Sequence, residues 1–339
     1  MKKSIVGANF LERIAEPDSR FQFDYLAYRN GEITQPELIA RLPHVAMIGD
    51  SVCMNVCISS ILSTSWRART CRGRNWFLDI NPSPKSVRSV SKRLEKLTPF
   101  IATEYAGVGA MVDREGEREN FFRRVLGTRN FSGQINQLLA TDRFPDLVLI
   151  SIGHNNVDWT WWCRPDQLHQ PEDQLRRQSR KIRENFERQM RRLIEHARIE
   201  RHAVAIVVFG LINFDSYFKG REDVENRRAS AANLYPHFET TYKYFKSFQP
   251  AYRRNVIRLA EMVNDELCAM VDEFNGDLDA SRNIHLQYSD ALARADLSRA
   301  ELLHAVDGCH ASVEGHTVLA DAAFGALGSS LKFLGIDGA

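Results

Sequence analysis

Short, continuous apolar runs punctuate the chain, separated by longer segments of mixed character. Each run is rich in Val or Ile and is bounded by Pro, Gly, Asn or Asp. Runs that are apolar throughout, rather than alternating with polar residues, predict strands buried on both faces. The clear runs are 44–49, 146–153, 203–210 and 283–288, and a weaker one spans 101–106.

Three segments carry apolar residues at helical spacing, namely 174–201, 252–274 and 313–334. Strands that alternate with such helices predict an α/β protein with a parallel sheet. No internal repeat or low-complexity linker interrupts this alternation, so one domain is favoured over two.

Two segments fall outside the alternation. Residues 1–42 precede the first strand and are expected to form a mostly helical extension. Residues 213–250 are polar and aromatic without a clean period, and they follow a predicted strand. A lid or substrate loop occupies that position in open α/β sheets. The expected organisation is an extension (1–42) and a domain (43–335) with an insertion at 213–250.

Composition narrows the class of protein. The 339 residues are 44% hydrophobic and 26% charged, which is typical of a globular chain and excludes a disordered or fibrous one. The net charge of +2 gives no general reason to expect nucleic acid as a partner. The six cysteines lack the spacing of a zinc site, so free thiols and no metal site are expected.

Hydropathy along the chain bears on location. No stretch of 18 apolar residues occurs, so no membrane span is expected. The N-terminal residues lack the apolar centre of a signal peptide, and the expected location is the cytoplasm. The sequence carries no signal for oligomeric state.

One helical segment is unusually basic. Residues 174–201 carry ten basic against four acidic residues. A solvated helix face explains that excess most simply. Peripheral contact with an anionic membrane is the alternative, and contact with nucleic acid is a weaker one.

Polar residues with chemical potential follow the predicted strands. Ser51 comes directly after the first strand, where a helix start would offer N–H groups to a developing oxyanion; simple N-capping is the alternative. Gly107 and Gly109 follow the second strand, and Gly109 is the favoured donor of the two. Asn155 follows the next strand, where it could donate to the same oxyanion or merely form a turn.

A possible base lies near the C-terminus. Asp307 and His310 have the spacing of an orienting carboxylate and a base, which a serine nucleophile requires. A capped helix start with a nearby surface histidine is the alternative.

Taken in chain order, these blocks resemble those of the SGNH hydrolases, also called the GDSL esterase/lipase superfamily. The resemblance covers about residues 43–325, and its specific parts are Gly-Asp-Ser at 49–51 and Asp-Gly-Cys-His at 307–310. It implies a flavodoxin-like three-layer α/β/α sandwich with a five-stranded parallel sheet.

The resemblance also implies the roles of the residues in a shallow active site. Ser51, Asp307 and His310 would form the catalytic triad. The oxyanion hole would consist of the Ser51 and Gly109 N–H groups and the Asn155 side chain.

The sequence departs from the family pattern in places. In the family, an Asp usually follows the Asn that corresponds to Asn155, whereas this chain has Asn156. A Pro is frequent in the family where this chain has Ala311. We expect Asn156 to point away from the oxyanion and to serve its own turn.

Aromatic residues after Asn155 could contact a substrate, because binding pockets are mostly apolar and aromatic. Trp159, Trp161 and Trp162 are the candidates, with packing under segment 213–250 as the alternative. His154 is a further candidate for substrate contact, although a histidine beside a site is more often a bystander.

The sequence therefore predicts a serine ester hydrolase that forms an acyl-enzyme, with a lipid or small-molecule ester as substrate. Such a reaction requires no cofactor or metal, and none is expected. A carbohydrate O-acetyl esterase or an acyltransferase would use the same residues. A binding module that kept the fold without turnover is the alternative from another class.

Overall fold

The fold is that of a computed structural model. It describes residues 4–6, 10–16, 19–54, 75–79, 87–112, 130–158, 170–230, 250–278, 283–304, 308 and 310–336.

A six-stranded sheet forms the centre of the described part of the chain. Its strand order is β1-β3-β2-β4-β5-β6, and β2 to β6 are parallel to one another. The five parallel strands follow the doubly wound, flavodoxin-like order, which confirms the predicted fold class. The strands are β1 (Ser4–Val6), β2 (His44–Gly49), β3 (Phe100–Glu104), β4 (Leu147–Ser151), β5 (Val204–Phe209) and β6 (Ile284–Ser289).

The sequence does not predict strand β1. This strand pairs antiparallel with β3 at the edge of the sheet, with Ser4 opposite Ala102. Its three residues are too short a run to give a strand signal. Segment 1–42 therefore contributes one edge strand in addition to three short helices.

Helices cover both faces of the sheet. Because right-handed crossovers on the two sides of β2 run in opposite directions, α4 lies on one face and α5, α7 and α9 lie on the other. The C-terminal helix α11 packs beside α4. The helices are α1 (Phe10–Ile14), α2 (Gln22–Arg29), α3 (Gln35–Ala40), α4 (Val90–Leu97), α5 (Phe131–Leu139), α6 (His154–Val157), α7 (Glu172–Ile199), α8 (Phe214–Ser230), α9 (Pro250–Leu278), α10 (Ala291–Arg294), α11 (Val313–Gly325) and α12 (Gly328–Phe333).

Helix α8 occupies the first half of the segment in which the sequence shows no helical period. Its buried positions do follow a helical spacing, but a charged residue, Arg221, takes one of them. Arg221 is fully buried, and its guanidinium lies 5.8 Å from the centre of the Tyr217 ring. A cation within the apolar stripe hides the period from a reading of hydropathy. Residues 231–249, the rest of the expected insertion, lie outside the described residues.

Most of the core is one apolar cluster that extends across the sheet. All residues of β2 and of β5 are buried, as expected for strands covered on both faces. A second, small cluster packs α1 to α3 against Ile101 of β3. The N-terminal helices therefore have their own apolar contact with the sheet.

At the C-terminus, the single helix predicted over 313–334 is two helices, separated at Ala326 and Leu327. Within the described residues, no helix combines the length and the apolar character that a membrane crossing requires.

Candidate functional site

The site begins where β2 ends. Ser51 starts a short 3-10 turn, and its exposed fraction is 9%. Gly49, the last strand residue, is held by Gln134, whose side-chain amide donates to the Gly49 carbonyl at 2.8 Å and accepts from the Gly49 N–H at 2.9 Å. Nothing larger than glycine fits at position 49, because a Cβ there would overlap the Cys53 sulfur and lie 2.8 Å from the Ser151 carbonyl oxygen. The hydrogen bonds to Gln134 and the close packing against Cys53 and Ser151 therefore fix the backbone that leads to Ser51.

Asp50, the residue before Ser51, is fully buried and accepts four N–H groups. Its Oδ1 accepts from Val52 N at 3.0 Å and so caps the turn. Its Oδ2 accepts from the backbone N–H groups of Gly153 and His154 at 3.2 and 3.1 Å. The His154 ring nitrogen Nδ1 lies 2.9 Å from the same oxygen. Asp50 thus ties the end of β2 to the loop after β4.

The loop after β3, residues 105–112, lies against the end of β2 and is called the glycine loop. Gly107 N donates to the Gly49 carbonyl at 3.1 Å. Gly109 adopts a left-handed conformation with φ +71°, which favours glycine. Within the described part of the chain, the backbone N–H groups of Gly109 and Ser51 have no hydrogen-bond partner. Both are therefore available as donors.

Asn155 connects its own loop to the glycine loop. Its Nδ2 donates to the Ala110 carbonyl at 2.9 Å. A side-chain amide nitrogen carries two hydrogens, so this bond fixes the side chain and leaves one N–H to donate elsewhere. The hydrogen bonds of these three loops gather Ser51, Gly109 and Asn155 at one place.

Asn156 takes a different partner from the one expected. Its Oδ1 accepts from Val112 N at 2.8 Å, and its Nδ2 donates to the Val112 carbonyl at 2.9 Å. The side chain thus serves the neighbouring glycine loop rather than its own turn. Two adjacent asparagines therefore hold two different residues of that loop.

The position in the sheet accounts for this convergence. Strand β2 lies between β3 and β4, where the chain reverses its direction of winding. Ligands of open α/β sheets bind at such a switch point, outside the carboxyl ends of the strands. Gly49 and Ser151 pair in register, so the loops after β2 and β4 start level with each other.

The segment that leads to His310 starts from the same edge of the sheet, where the chain leaves β6. It is held against α8, where Leu297 N donates to Ser216 Oγ at 3.1 Å. A bridge between Leu303 and Ala311 closes the base of the loop that carries His310.

His310 stands just before the last pair of helices. Its side chain is partly exposed, and its carbonyl accepts from His304 N at 2.7 Å. Ser312, two residues after His310, caps α11 by accepting from Gly315 N at 3.1 Å, so the helix starts at Val313. The approach of the His310 ring to Ser51 stays a prediction.

Several predicted site residues lie outside the part of the chain that the structure describes. Asp307 lies outside the described residues, as do Trp159, Trp161 and Trp162. Their assignments stay predictions from the sequence. In the part of the chain that the structure describes, no three His, Cys, Asp or Glu side chains are grouped to hold a metal ion.

The sequence marks His154 as a candidate for substrate contact. The structure buries it to 5% exposure and gives both ring nitrogens partners within the protein, since Ile212 N donates to Nε2 at 3.2 Å. Substrate contact by this residue stays a prediction, and the observed bonds are those of a side chain that holds loops together.

The thiol of Cys53, two residues after Ser51, has a shifted pKa. Burial, and after it the charge of Asp50, raise the pKa of the Cys53 thiol, which donates to the Ser151 carbonyl. This thiol is therefore held protonated close to Ser51.

His316, in the first turn of α11, is 1% exposed. Burial, and after it the charge of His310, lower the pKa of His316 to about 3. Among the described residues, neither of its ring nitrogens has a hydrogen-bond partner. The ring is therefore held neutral.

The basic segment 174–201 lies almost entirely in α7, and acidic groups neutralise part of its charge. Arg177 pairs with Asp173 at 2.7 Å along the helix. Arg183 reaches Glu266 of α9 at 3.1 Å and also contacts Glu273. Such pairs favour a solvated face packed beside α9, and membrane contact through this helix stays a prediction.

Comparison with known proteins gives distant structural likenesses. No family model and no curated protein matches the sequence. A solved structure described as "a putative SGNH hydrolase from Slackia heliotrinireducens" aligns with a TM-score of 0.33 and 12% identity, over 85% of this chain and 100% of that one. Two other solved structures align with TM-scores of 0.45 and 0.43 and identities of 14% and 10%. They cover 86% and 84% of this chain and 99% and 96% of their own.

Proposed function

We propose that this chain is a serine ester hydrolase of the SGNH type that acts through an acyl-enzyme. The observation that supports the proposal is the convergence of a serine and three possible oxyanion donors at the switch point of the sheet. Ser51 follows β2. Within the described part of the chain, the backbone N–H groups of Ser51 and Gly109 have no hydrogen-bond partner, so they can donate to a substrate. The Asn155 amide supplies the third donor beside them.

In the proposed reaction, His310 takes the proton of the Ser51 hydroxyl as Ser51 Oγ bonds to the ester carbonyl carbon. The carbonyl oxygen becomes the oxyanion and is stabilised by the three donors. The bond to the alcohol oxygen then breaks, and His310 passes its proton to that oxygen. Water then attacks the acyl carbon while His310 takes one of its protons. The bond between that carbon and Ser51 Oγ breaks, His310 returns the proton to Oγ, and the acid and free Ser51 are released. Asp307 would orient His310 and stabilise its charged form.

The buried Cys53 thiol is not a competing nucleophile in this scheme. Its raised pKa keeps it protonated, and the thiolate is the reactive form of cysteine.

The proposed substrate is a lipid or small acyl ester. We expect the pocket for its acyl or alcohol part to use the tryptophans at 159, 161 and 162, which lie outside the described part of the chain. The preferred chain length is measured with the ester series described next.

The test is intact-protein mass after exposure to a fluorophosphonate and to p-nitrophenyl esters of increasing chain length. We expect one adduct on Ser51, an acyl-enzyme with the preferred ester, and neither in Ser51→Ala. Cys53→Ala is the matched control and should keep both. An adduct on another residue, or no adduct and no ester hydrolysis, would overturn the proposal. Added alcohols that yield new esters in preference to acid would identify an acyltransferase instead.

A further inference from the structure

We propose that His154 is a positioning residue that sets the nucleophile and the oxyanion donor relative to each other through its bond to Asp50. This inference rests on the proposed function. It concerns a residue outside the proposed triad and oxyanion hole, whose neighbours along the chain are Gly153 and Asn155.

The hydrogen bonds of His154 define its state. A buried carboxylate can only accept, so the proton of the neutral imidazole lies on Nδ1 and points to Asp50 Oδ2 at 2.9 Å. Nε2 then carries the lone pair and accepts from Ile212 N at 3.2 Å. A proton on Nε2 would face the Ile212 N–H and break that bond. The site therefore selects the neutral Nδ1–H tautomer.

These bonds also exclude His154 from the role of general base. Its pairing with a carboxylate through Nδ1 has the form of the orienting pair in a serine hydrolase. However, Nε2, which would have to take the proton of Ser51, is occupied by the backbone of the segment after β5. Any effect of His154 on the reaction must therefore pass through other residues.

The path to the reacting groups is short. Asp50 precedes Ser51, and His154 precedes Asn155. The Asp50–His154 contact thus links the residue before the nucleophile to the residue before the oxyanion donor. The Ile212 bond adds the end of β5, so one side chain joins the carboxyl ends of β2, β4 and β5. A displacement of about 1 Å between nucleophile and donor can cost on the order of 100-fold in rate.

The two bonds can be removed separately. His154→Asn places an amide nitrogen near the Nδ1 position and can keep the bond to Asp50. His154→Gln reaches the Nε2 position and can keep an acceptor for Ile212. His154→Ala loses both. His44→Asn is the matched control, because His44 is also buried and also hydrogen-bonded through its ring, to Thr103 Oγ1 at 2.8 Å, but at the opposite end of β2.

We expect His154→Ala to lower kcat on one activated ester by about 10- to 100-fold with KM within about twofold, since both ring nitrogens of His154 are bonded within the protein and neither is left to bind substrate. His154→Asn should restore most of that loss, and His154→Gln less. Labelling of Ser51 by the fluorophosphonate should slow in the same order. His44→Asn should lower stability and leave kcat near wild type. If His154 had a merely structural role, its variants would yield less folded protein. The kcat, the KM and the labelling rate of the protein that did fold would then equal those of the wild type.

Two outcomes would overturn the inference while the proposed function stands. One is wild-type kcat in folded His154→Ala. The other is an Nε2–H or charged His154 ring in the wild-type protein, read from the ring ¹⁵N shifts by NMR at pH 7. Those shifts require no activity. If wild type shows the Nδ1–H tautomer but neither labels at Ser51 nor hydrolyses any ester, the proposed function fails and the positioning role fails with it.

Discussion

Asn156 offers a test of how the glycine loop is held. Its side chain makes both hydrogen bonds to the backbone of Val112, one as acceptor and one as donor. Asn156→Asp introduces the residue that usually follows the corresponding Asn in the SGNH hydrolases that this sequence resembles. The new carboxylate can still accept from Val112 N. It cannot donate, so an oxygen replaces the amide nitrogen that now lies 2.9 Å from the Val112 carbonyl.

The magnitude follows from that exchange. Loss of one net hydrogen bond costs about 0.5–1.5 kcal/mol, and an unpaired partly buried carbonyl facing a carboxylate adds to it, for a total of about 1–3 kcal/mol. Repulsion from the carbonyl would raise the pKa of the new carboxyl in the folded state. The folded state would then bind the proton more tightly than the unfolded state, so the deficit relative to wild type should narrow as the pH falls.

The assay is urea unfolding of both proteins at pH 7 and pH 5, with kcat on one activated ester. Asn155→Asp is the matched control, because it also loses one donor bond to a loop carbonyl. We expect similar losses of stability in the two variants. Asn155→Asp should in addition lower kcat by about 100- to 1,000-fold, the usual cost of one oxyanion donor. Unchanged stability in Asn156→Asp would refute the reasoning about Val112. A rate loss at 156 equal to or larger than that at 155 would place the oxyanion donor one residue further along.

Other substitutions test other parts of the site. His310→Ala, and less severely Asp307→Asn, should lower kcat by several orders of magnitude in folded protein; near-normal turnover in Asp307→Asn would indicate a two-member site. Gly49→Ala should destabilise by about 1–3 kcal/mol in urea, because its Cβ would overlap the Cys53 sulfur, and Cys53→Ala in the same chain should recover part of the loss. The unfolded chain takes up a proton at His316 with the usual pKa of 6.5, whereas in the folded chain that pKa is about 3, so stability should fall by up to ~1.4 kcal/mol per pH unit as the pH drops below 6.5. In His316→Leu, the free energy of unfolding measured in urea should fall less steeply as the pH drops below 6.5. A slope equal to that of the wild type would contradict the role given to His316.

The five parallel strands could be predicted from the sequence because each lies in or overlaps a short run rich in apolar residues, and the doubly wound order confirms the fold class. Helix α8 could not, because Arg221 stands in its buried stripe and Gly220 lies in mid-helix, where its backbone faces the Leu297 carbonyl. Strand β1 could not either, since three residues carry no usable period. The break between α11 and α12 is also absent from the hydropathy pattern, which continues through it.

The candidate site divides in a similar way. Ser51, Gly109 and Asn155 each follow a strand, and parallel strands deliver such residues to one edge, so their convergence follows from the order of the chain. The contact of Gln134 with the end of β2 spans 85 residues, and that of Asn156 with the glycine loop spans 44. Glutamine and asparagine are common on surfaces, and nothing local marks either side chain as the partner of a distant backbone group.

These distant contacts have a common physical cause. Where the chain leaves the sheet, the hydrogen bonds between neighbouring strands end. The backbone N–H and carbonyl groups there need other partners or water. At a reaction site, water is a poor partner because it leaves the loops free to move. The side chains of Gln134 and Asn156 can both donate and accept, and each pairs with one backbone residue as a neighbouring strand would. Ser51 and Gly109 keep backbone N–H groups without a partner in the described part of the chain, and the proposed reaction assigns both of these N–H groups to the oxyanion.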